Sequence, residues 1–208
     1  MKRGLWTDNA LARVGVTRSE SGPTTLVGYA AVYYVEGDAR TEYRLWDTAV
    51  ERIARGAFDG ILADTTVDVR ALRNHDPDRI LGRRSAGTLR LSSDDVGLRY
   101  EIDLAETTAG RDTATDVESR NITGSSFWFG NGRTTITERE DGTTVYLRES
   151  FTELYDVGPV TFPAYEGTSV LTRSGEGDVS EMKAEWDRRR RAAEAERVRV
   201  VTAAAEAA

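Results

Sequence analysis

Alternation of apolar and polar residues dominates the middle of the chain and predicts a protein rich in β-strands. The clearest example is the run from Leu98 to Leu104, where every second residue is apolar and the residues between are charged. Its apolar face consists of Leu98, Tyr100, Ile102 and Leu104. This pattern is typical of an antiparallel strand with one face in the core and the other in water.

Shorter runs of the same kind flank clusters of turn residues and predict hairpins. Residues 10–18 and 24–35 enclose the breaker sequence Ser-Glu-Ser-Gly-Pro, and residues 87–91 precede the strand at Leu98 across an Asp-Asp turn. Further strands are predicted at 67–72, 122–129, 143–151 and 154–163. Asn-Gly at 131–132 and Asp-Gly at 141–142 are turn signals among the later strands.

Two segments between the strands have helical character. Apolar residues of Asp47–Leu62 recur at helical intervals, although Gly56 and Gly60 weaken the segment by up to about 1 kcal/mol each. A short helix interrupted by a turn is the alternative there. Thr107–Arg120 is polar, with Val117 as its sizeable apolar residue, and is predicted to be a surface helix. The elements together predict a mainly β protein with surrounding helices, in the α+β class.

The composition changes after residue 172. Ser174–Gly177 has the composition of a linker, and Asp178–Glu181 resembles the capping box that begins a helix. The basic run at 188–191 is typical of a solvated helical face, with an RNA-binding helix as the alternative. We therefore predict a domain over residues 1–173, followed by a linker and helical tail over 174–208.

Composition and charge exclude several classes of function. The chain has 208 residues, no cysteine and a net charge of −7. The acidic balance argues against a nucleic-acid partner, and the lack of cysteine excludes disulfides, thiolate metal sites and a cysteine nucleophile. No apolar run reaches the roughly 20 residues of a membrane-spanning helix, and the N-terminus does not match an export signal. A cytoplasmic protein without a membrane partner is expected.

Any chemistry that requires an imidazole must use His75, because the chain has one histidine. His75 follows the predicted strand at 67–72, so that its ring can face a cleft while the strand fixes its position. An imidazole exchanges protons near neutral pH and suits a general base. The alternative is a surface histidine without a catalytic role.

A nucleophile and a carboxylate are the other candidate groups. Ser126 lies among aromatic residues in the predicted strand at 122–129, where a rigid strand can present a hydroxyl to a base. A strand that simply carries Ser126 and Trp128 on its outer face is the alternative. Asp156 or Glu153 could orient the histidine, although most of the 35 acidic residues must be solvent-exposed charges. No metal-ligand spacing or phosphate-binding loop is present in the sequence.

Six short motifs resemble those of the prohead maturation proteases of tailed bacteriophages and follow one another in the same order. This family is related in fold to the herpesvirus assemblins. The motifs are GYAAVY at 28–33, RGAF at 55–58, NHDPDRILG at 74–82, DVGL at 95–98, GSSFWF at 124–129 and DVGPVTFPAY at 156–165. The resemblance covers about residues 24–171. It implies a closed antiparallel β-barrel of the assemblin type with helices around it.

The same resemblance implies a serine endopeptidase with three catalytic residues. Ser126 would be the nucleophile, His75 the general base and Asp156 the orienting carboxylate, with Glu153 as the reserve candidate for the third position. No metal or organic cofactor is implied. We expect the imidazole and the Ser126 hydroxyl to meet across adjoining strands.

By family analogy, the substrate is the scaffolding region of a phage major capsid protein, and the protease itself is a further substrate. Cleavage would occur inside the procapsid in the host cytoplasm, with neither nucleic acid nor membrane as a partner. Homo-oligomerisation is left open. A non-catalytic capsid-assembly or scaffolding protein that retains the protease fold is the alternative, and a hydrolase unrelated to capsids is a second rival.

The sequence departs from the family pattern in three places. Asp156 stands where glutamate is more frequent, and Trp128 stands where glycine is usual, which predicts a narrower pocket near Ser126. Gly158-Pro159 replaces a small residue followed by an apolar one, which predicts a bend in the strand. Altered specificity or an inactive copy are the two consequences these departures suggest.

Overall fold

The alternating segments form strands in the computed structural model, which describes residues 4–5, 14–17 and 23–163. The strands are β1 (Gly4–Leu5), β2 (Val14–Thr17), β3 (Thr25–Val32), β4 (Tyr43–Trp46), β5 (Ala49–Ile53), β6 (Arg70–Leu72), β7 (Ile80–Arg83), β8 (Leu89–Ser93), β9 (Gly97–Asp103), β10 (Gly124–Phe129), β11 (Thr134–Glu138), β12 (Thr144–Arg148) and β13 (Leu154–Val160). The described residues also form the α-helices α1 (Asp59–Ala63) and α2 (Thr108–Glu118) and a short 3-10 helix at Ala39–Thr41. This part of the chain is mainly β with few helices, as the alternation predicted. The predicted boundary after residue 173 and the tail lie outside the described residues.

The described strands form three sheets. Their strand orders are β1-β2-β3-β9-β8, β10-β13-β6-β7 and β11-β12-β5-β4. The two predicted hairpins are confirmed as the antiparallel pairs β2–β3 and β8–β9. The second sheet contains both Ser126, on β10, and Asp156, on β13.

This arrangement differs from the closed antiparallel barrel that the resemblance implies. Strands β10 and β3 pack against each other but belong to different sheets, so the hydrogen-bonded ladder of the described residues does not close. Strand β5 runs parallel to β12, and β6 runs parallel to β13. Parallel neighbours need crossover connections instead of hairpins. The described strands are therefore not all antiparallel, as they would be in a barrel of that kind.

The predicted helix over Asp47–Leu62 is wrong except at its end, because the helix α1 begins only at Asp59. Ala49–Ile53 is a strand between β4 and β12, and four of its five residues are buried. Its third residue, Glu51, is buried and forms an ion pair with Arg148, so the segment lacks the apolar–polar alternation of a strand and its apolar residues match a helical spacing instead. Gly56, with φ of 80°, lies in the turn that precedes the short helix α1.

Helix α2 confirms the predicted helix at Thr107–Arg120. Thr107 caps its N-terminus, because the Thr107 side-chain oxygen accepts a hydrogen bond from the Gly110 amide at 3.1 Å. The helix is more buried than predicted, since Thr113, Ala114 and Val117 lie on a buried face. This face packs against the sheets, so α2 belongs to the core and can anchor the loops beside it.

The core confirms the pattern at Leu98–Leu104. Leu98, Tyr100 and Ile102 are fully buried on the apolar face of β9. Opposite them on β3, Leu26 is also fully buried, and it pairs with Ile102 in the ladder. Burial of each such side chain contributes about 1.5–3 kcal/mol to folding.

An aromatic cluster fixes the orientation of β10. Phe58 stacks on Phe151 with ring centroids 4.7 Å apart, and its ring meets that of Phe127 edge-on at 5.5 Å. Phe127 therefore points into the core. Because side chains alternate along a strand, Ser126 and Trp128 project from the opposite face of β10.

Candidate active site

Strands β10 and β13 bring candidate side chains onto one face of the second sheet. Ser126 lies opposite Gly158 in the antiparallel ladder, and Trp128 lies opposite Asp156. Residues that are directly opposite each other, or two apart on one strand, project from the same face. Ser126 and Asp156 are therefore on the same side of the sheet, two ladder positions apart.

The two adjacent serines have different environments. Ser125 points into the core, where its hydroxyl and the Tyr100 hydroxyl share a hydrogen bond of 2.7 Å. Burial raises the pKa of Tyr100, so the phenol stays neutral and hydrogen-bonded. Ser126 is 7% exposed and lies on the face shared with Asp156. Ser125 thus has a structural partner, and Ser126 is the serine presented to the site.

A β-bulge lies beside Asp156. The register shifts between Trp128, which is opposite Asp156, and Phe129, which is opposite Leu154, so Tyr155 is the extra residue. Leu154 is buried in the core, whereas Tyr155 is 42% exposed and meets the Trp128 ring edge-on at 6.2 Å. Bulges redirect side chains next to functional sites. Here the bulge lets Leu154 face the core while Asp156 faces the site.

His75 lies in a tight turn after β6. The turn covers residues 73–76 and is closed by a hydrogen bond of 3.0 Å from the Asp76 amide to the Arg73 carbonyl. Asn74 and His75 have φ of 56° and 57°, the left-handed conformation found at both central positions of a type I′ turn. For a residue other than glycine this costs on the order of 1–3 kcal/mol, which the surroundings must offset.

The turn is tied to helix α2 by an ion pair. One guanidinium nitrogen of Arg73 donates to the Asp116 carboxylate at 2.7 Å. Hydrogen bonds from Asn121 and Arg73 lower the pKa of Asp116, so the carboxylate stays charged. Because α2 is part of the core, this pair fixes the first residue of the turn.

His75 and Asp156 meet on the site face. The distance between His75 Nδ1 and Asp156 Oδ1 is 2.6 Å. The Asp156 side chain is 3% exposed and the imidazole 22%. A carboxylate only accepts hydrogen bonds, so Nδ1 carries the hydrogen, and the neutral ring has its lone pair on Nε2. The pair therefore presents an oriented imidazole with a nitrogen that can accept a proton.

Glu153, the reserve candidate, has different partners. Its carboxylate accepts hydrogen bonds from the Tyr155 hydroxyl at 2.5 Å and from the Asn131 amide at 3.2 Å. These contacts brace the bulged residue and the loop after β10. Of the two acidic candidates, the structure brings Asp156 to the imidazole.

Strand β13 lies between the strand of Ser126 and the strand that leads to His75. The two side chains therefore do not come from adjoining strands, which corrects that part of the expectation. The turn at 73–76 instead lies against the end of β13, and the imidazole meets the edge of the Trp128 ring at 6.3 Å. Within the described part of the chain, Ser126 makes no hydrogen bond to His75. The hydrogen bond between a catalytic nucleophile and its base is often long without substrate and tightens only when substrate binds.

The ladder with β10 is regular at Gly158-Pro159, where the sequence predicts a bend. Both residues keep their ladder partners on β10, and the register shift lies further along, at Tyr155. The Pro159 carbonyl accepts a hydrogen bond from the Asn74 amide and therefore points away from β10. In an extended strand the nitrogen and the carbonyl of one residue point to the same side. The proline nitrogen is therefore not needed for pairing with β10. Trp128 is 43% exposed beside His75, consistent with a site that is narrower than one with glycine.

Two kinds of feature are absent from the described residues. In residues 4–5, 14–17 and 23–163, no three histidine, aspartate or glutamate side chains lie close enough together to bind a metal ion. The same stretch contains no helix with the length and apolarity to span a membrane.

A comparison with known protein families gives a match over most of the chain. A model of the caudovirus prohead serine protease family matches residues 13–184. The chain belongs to this family. It is therefore a serine protease of phage capsid maturation, as the six motifs predicted, and the matched range includes His75, Ser126 and Asp156. No curated protein and no solved structure matches the chain.

Two features of the candidate site had little signal in the sequence. The NHDPDRILG motif assigns no role to Asn74, although asparagine before the histidine is itself a signal for a left-handed turn. The bulge at Tyr155 had none, because a bulge depends on the register of two strands and not on one sequence.

Proposed function

We propose that the protein is a serine endopeptidase in which Ser126, His75 and Asp156 form the catalytic triad. The observation that carries this proposal is the hydrogen bond of 2.6 Å between His75 Nδ1 and the buried Asp156 carboxylate. Such a bond fixes the tautomer and orientation that a general base needs. Membership of the prohead serine protease family supports it.

In the proposed reaction, the Ser126 oxygen attacks the scissile carbonyl carbon while its proton passes to His75 Nε2. The tetrahedral intermediate collapses as the C–N bond breaks, and the same proton moves from Nε2 to the leaving amine. Water then attacks the acyl-enzyme by the same route and restores the serine. Asp156 stabilises the imidazolium that forms in both halves, without taking the proton.

The proposed substrate is the scaffolding region of a phage major capsid protein, with the protease chain itself as a second substrate. The site of action is the interior of the procapsid in the host cytoplasm. Family membership supports a role on the prohead, and these finer assignments extend it. Capsid components are the proposed partners.

Co-expression with the major capsid protein of the same phage tests this function. We expect the capsid subunit to lose mass with the wild-type protease and to keep its full mass with Ser126→Ala or His75→Ala. Ser125→Ala is the matched control, because its hydroxyl bonds Tyr100 in the core, and this variant should retain cleavage. Full cleavage by Ser126→Ala would refute the proposal. Capsid binding without cleavage by the wild-type protein would favour the non-catalytic assembly role.

A further inference from the structure

The turn that carries His75 is conformationally demanding. Two consecutive residues, Asn74 and His75, have left-handed backbone conformations with φ of 56° and 57°. Asparagine adopts this conformation more readily than most residues, because its short polar side chain can bond the local backbone. A strained turn persists only when its surroundings restrain it. The restraints on this turn therefore decide where the imidazole lies.

Asn74 makes two hydrogen bonds to the end of β13. Its backbone amide donates to the Pro159 carbonyl at 3.0 Å. Its side-chain oxygen accepts from the Thr161 amide at 2.7 Å. The two bonds hold Pro159 in β13, the strand that carries Asp156, and Thr161 directly after this strand.

The backbone before the turn is pressed against the same part of β13. A Cβ atom at Gly158 would overlap the carbonyl oxygen of Leu72, the last residue of β6. Glycine is therefore required for this close approach. The chain from Leu72 to Asn74 thus follows β13 from Gly158 to Thr161, which directs the next residue, His75, back over Asp156.

We infer that Asn74 is a positioning residue, whose side-chain oxygen holds the turn on β13 so that His75 Nδ1 reaches Asp156. The inference rests on the proposed function for its catalytic consequence, since Asn74 acts through His75. The ion pair of Arg73 with Asp116 restrains the turn from the side of α2. Asn74 restrains the turn relative to β13, the strand that carries the Asp156 carboxylate. The distance between the turn and this strand determines whether the imidazole reaches the carboxylate.

Three substitutions separate the two properties of Asn74. Asn74→Asp keeps both the acceptor oxygen and the tolerance for positive φ. Asn74→Gly keeps the backbone freedom but removes the acceptor, and Asn74→Ala removes both. We expect labelling by a fluorophosphonate probe to be fastest in Asn74→Asp, slower in Asn74→Gly and slowest in Asn74→Ala. The alanine variant should lose about 100-fold, the loss expected from a misplacement of about 1 Å.

The tautomer of His75 gives a readout that does not depend on catalysis. Because the chain has one histidine, 15N-labelled histidine gives a single imidazole in long-range 1H–15N spectra. We expect the Nδ1–H tautomer in the wild type and in Asn74→Asp, and a shift toward the Nε2–H tautomer in Asn74→Gly and Asn74→Ala. Thermal unfolding of each variant reports folding, and the glycine variant carries the test if the alanine variant does not fold.

Wild-type labelling rate and wild-type tautomer in both Asn74→Gly and Asn74→Ala would overturn the inference and leave the proposed function intact. A wild-type protein that is not labelled at all would refute the proposed function. In that case the tautomer spectra of the folded variants still decide whether Asn74 positions the imidazole.

Discussion

Substitution of Asp156 by asparagine tests the buried end of the His75–Asp156 pair. Asparagine has nearly the same size, but its amide nitrogen is a donor and its oxygen carries no full charge. The carboxylate oxygen lies 2.6 Å from Nδ1 in a side chain only 3% exposed, where little water competes for the bond. An amide nitrogen that donates to Nδ1 moves the ring hydrogen to Nε2, which removes the lone pair that accepts the serine proton.

The expected loss follows from this change of tautomer. A triad aspartate replaced by asparagine costs about 10⁴-fold in kcat. At about 1.36 kcal/mol per tenfold, this is about 5 kcal/mol of transition-state stabilisation. We therefore expect Asp156→Asn to be labelled by a fluorophosphonate probe, and to cleave the capsid subunit, about 10³–10⁴-fold more slowly than the wild type.

Glu153→Gln is the matched control for this measurement. Glu153 bonds Tyr155 and Asn131, so its neutral isostere leaves the imidazole oriented and should change the labelling rate less than about tenfold. Thermal unfolding verifies that both variants are folded. A wild-type rate in Asp156→Asn would refute the assignment of Asp156. A loss of 10³-fold or more in Glu153→Gln would instead assign the orienting role to Glu153.

Three further substitutions test the supporting structure. Gly158→Ala should prevent folding or abolish labelling, because its Cβ would overlap the Leu72 carbonyl, and a variant with wild-type thermal stability and labelling would contradict this. Phe58→Ala should lower the free energy of unfolding by about 3–5 kcal/mol in urea denaturation, since its ring is fully buried, and a loss below about 1 kcal/mol would contradict its place in the core. Trp128→Gly should raise the cleavage rate for peptides with bulky side chains relative to small ones, because it opens the face beside His75, and an unchanged ratio would argue against a narrowed site.

The elements with strict alternation could be predicted from the sequence. Residues 98–104 alternate because one face of β9 packs on the core and the other meets water, and the burial of Leu98, Tyr100 and Ile102 follows that pattern. The same holds for the two confirmed hairpins, which join strands that are neighbours in sequence. Local pattern and turn chemistry suffice for such pairs.

The parallel pairs could not be predicted in the same way. Ala49–Ile53 pairs with Thr144–Arg148 far along the chain, and no local pattern specifies a partner at that distance. The adjacent charged residues Glu51 and Arg52 also break the apolar–polar alternation that marks a strand. The predicted closed barrel came from the family resemblance and had no support from local sequence.

For the site, residue identity could be predicted better than geometry. The residues alone indicate His75, Ser126 and a carboxylate at Asp156 or Glu153 as candidates, and the family resemblance assigned a role to each. The strand that separates Ser126 from the strand leading to His75, and the bulge at Tyr155, depend on tertiary register. The choice of Asp156 over Glu153 as the neighbour of the imidazole likewise required coordinates.

The most direct test of the proposed triad is to locate the adduct formed with a fluorophosphonate probe. Peptide mass mapping of the labelled wild-type protein should place the adduct on Ser126, with no adduct on Ser125 and strongly reduced labelling in His75→Ala. An adduct on a different residue, or equal labelling of Ser126 in the wild type and in His75→Ala, would contradict the assignment of Ser126 as a nucleophile activated by His75.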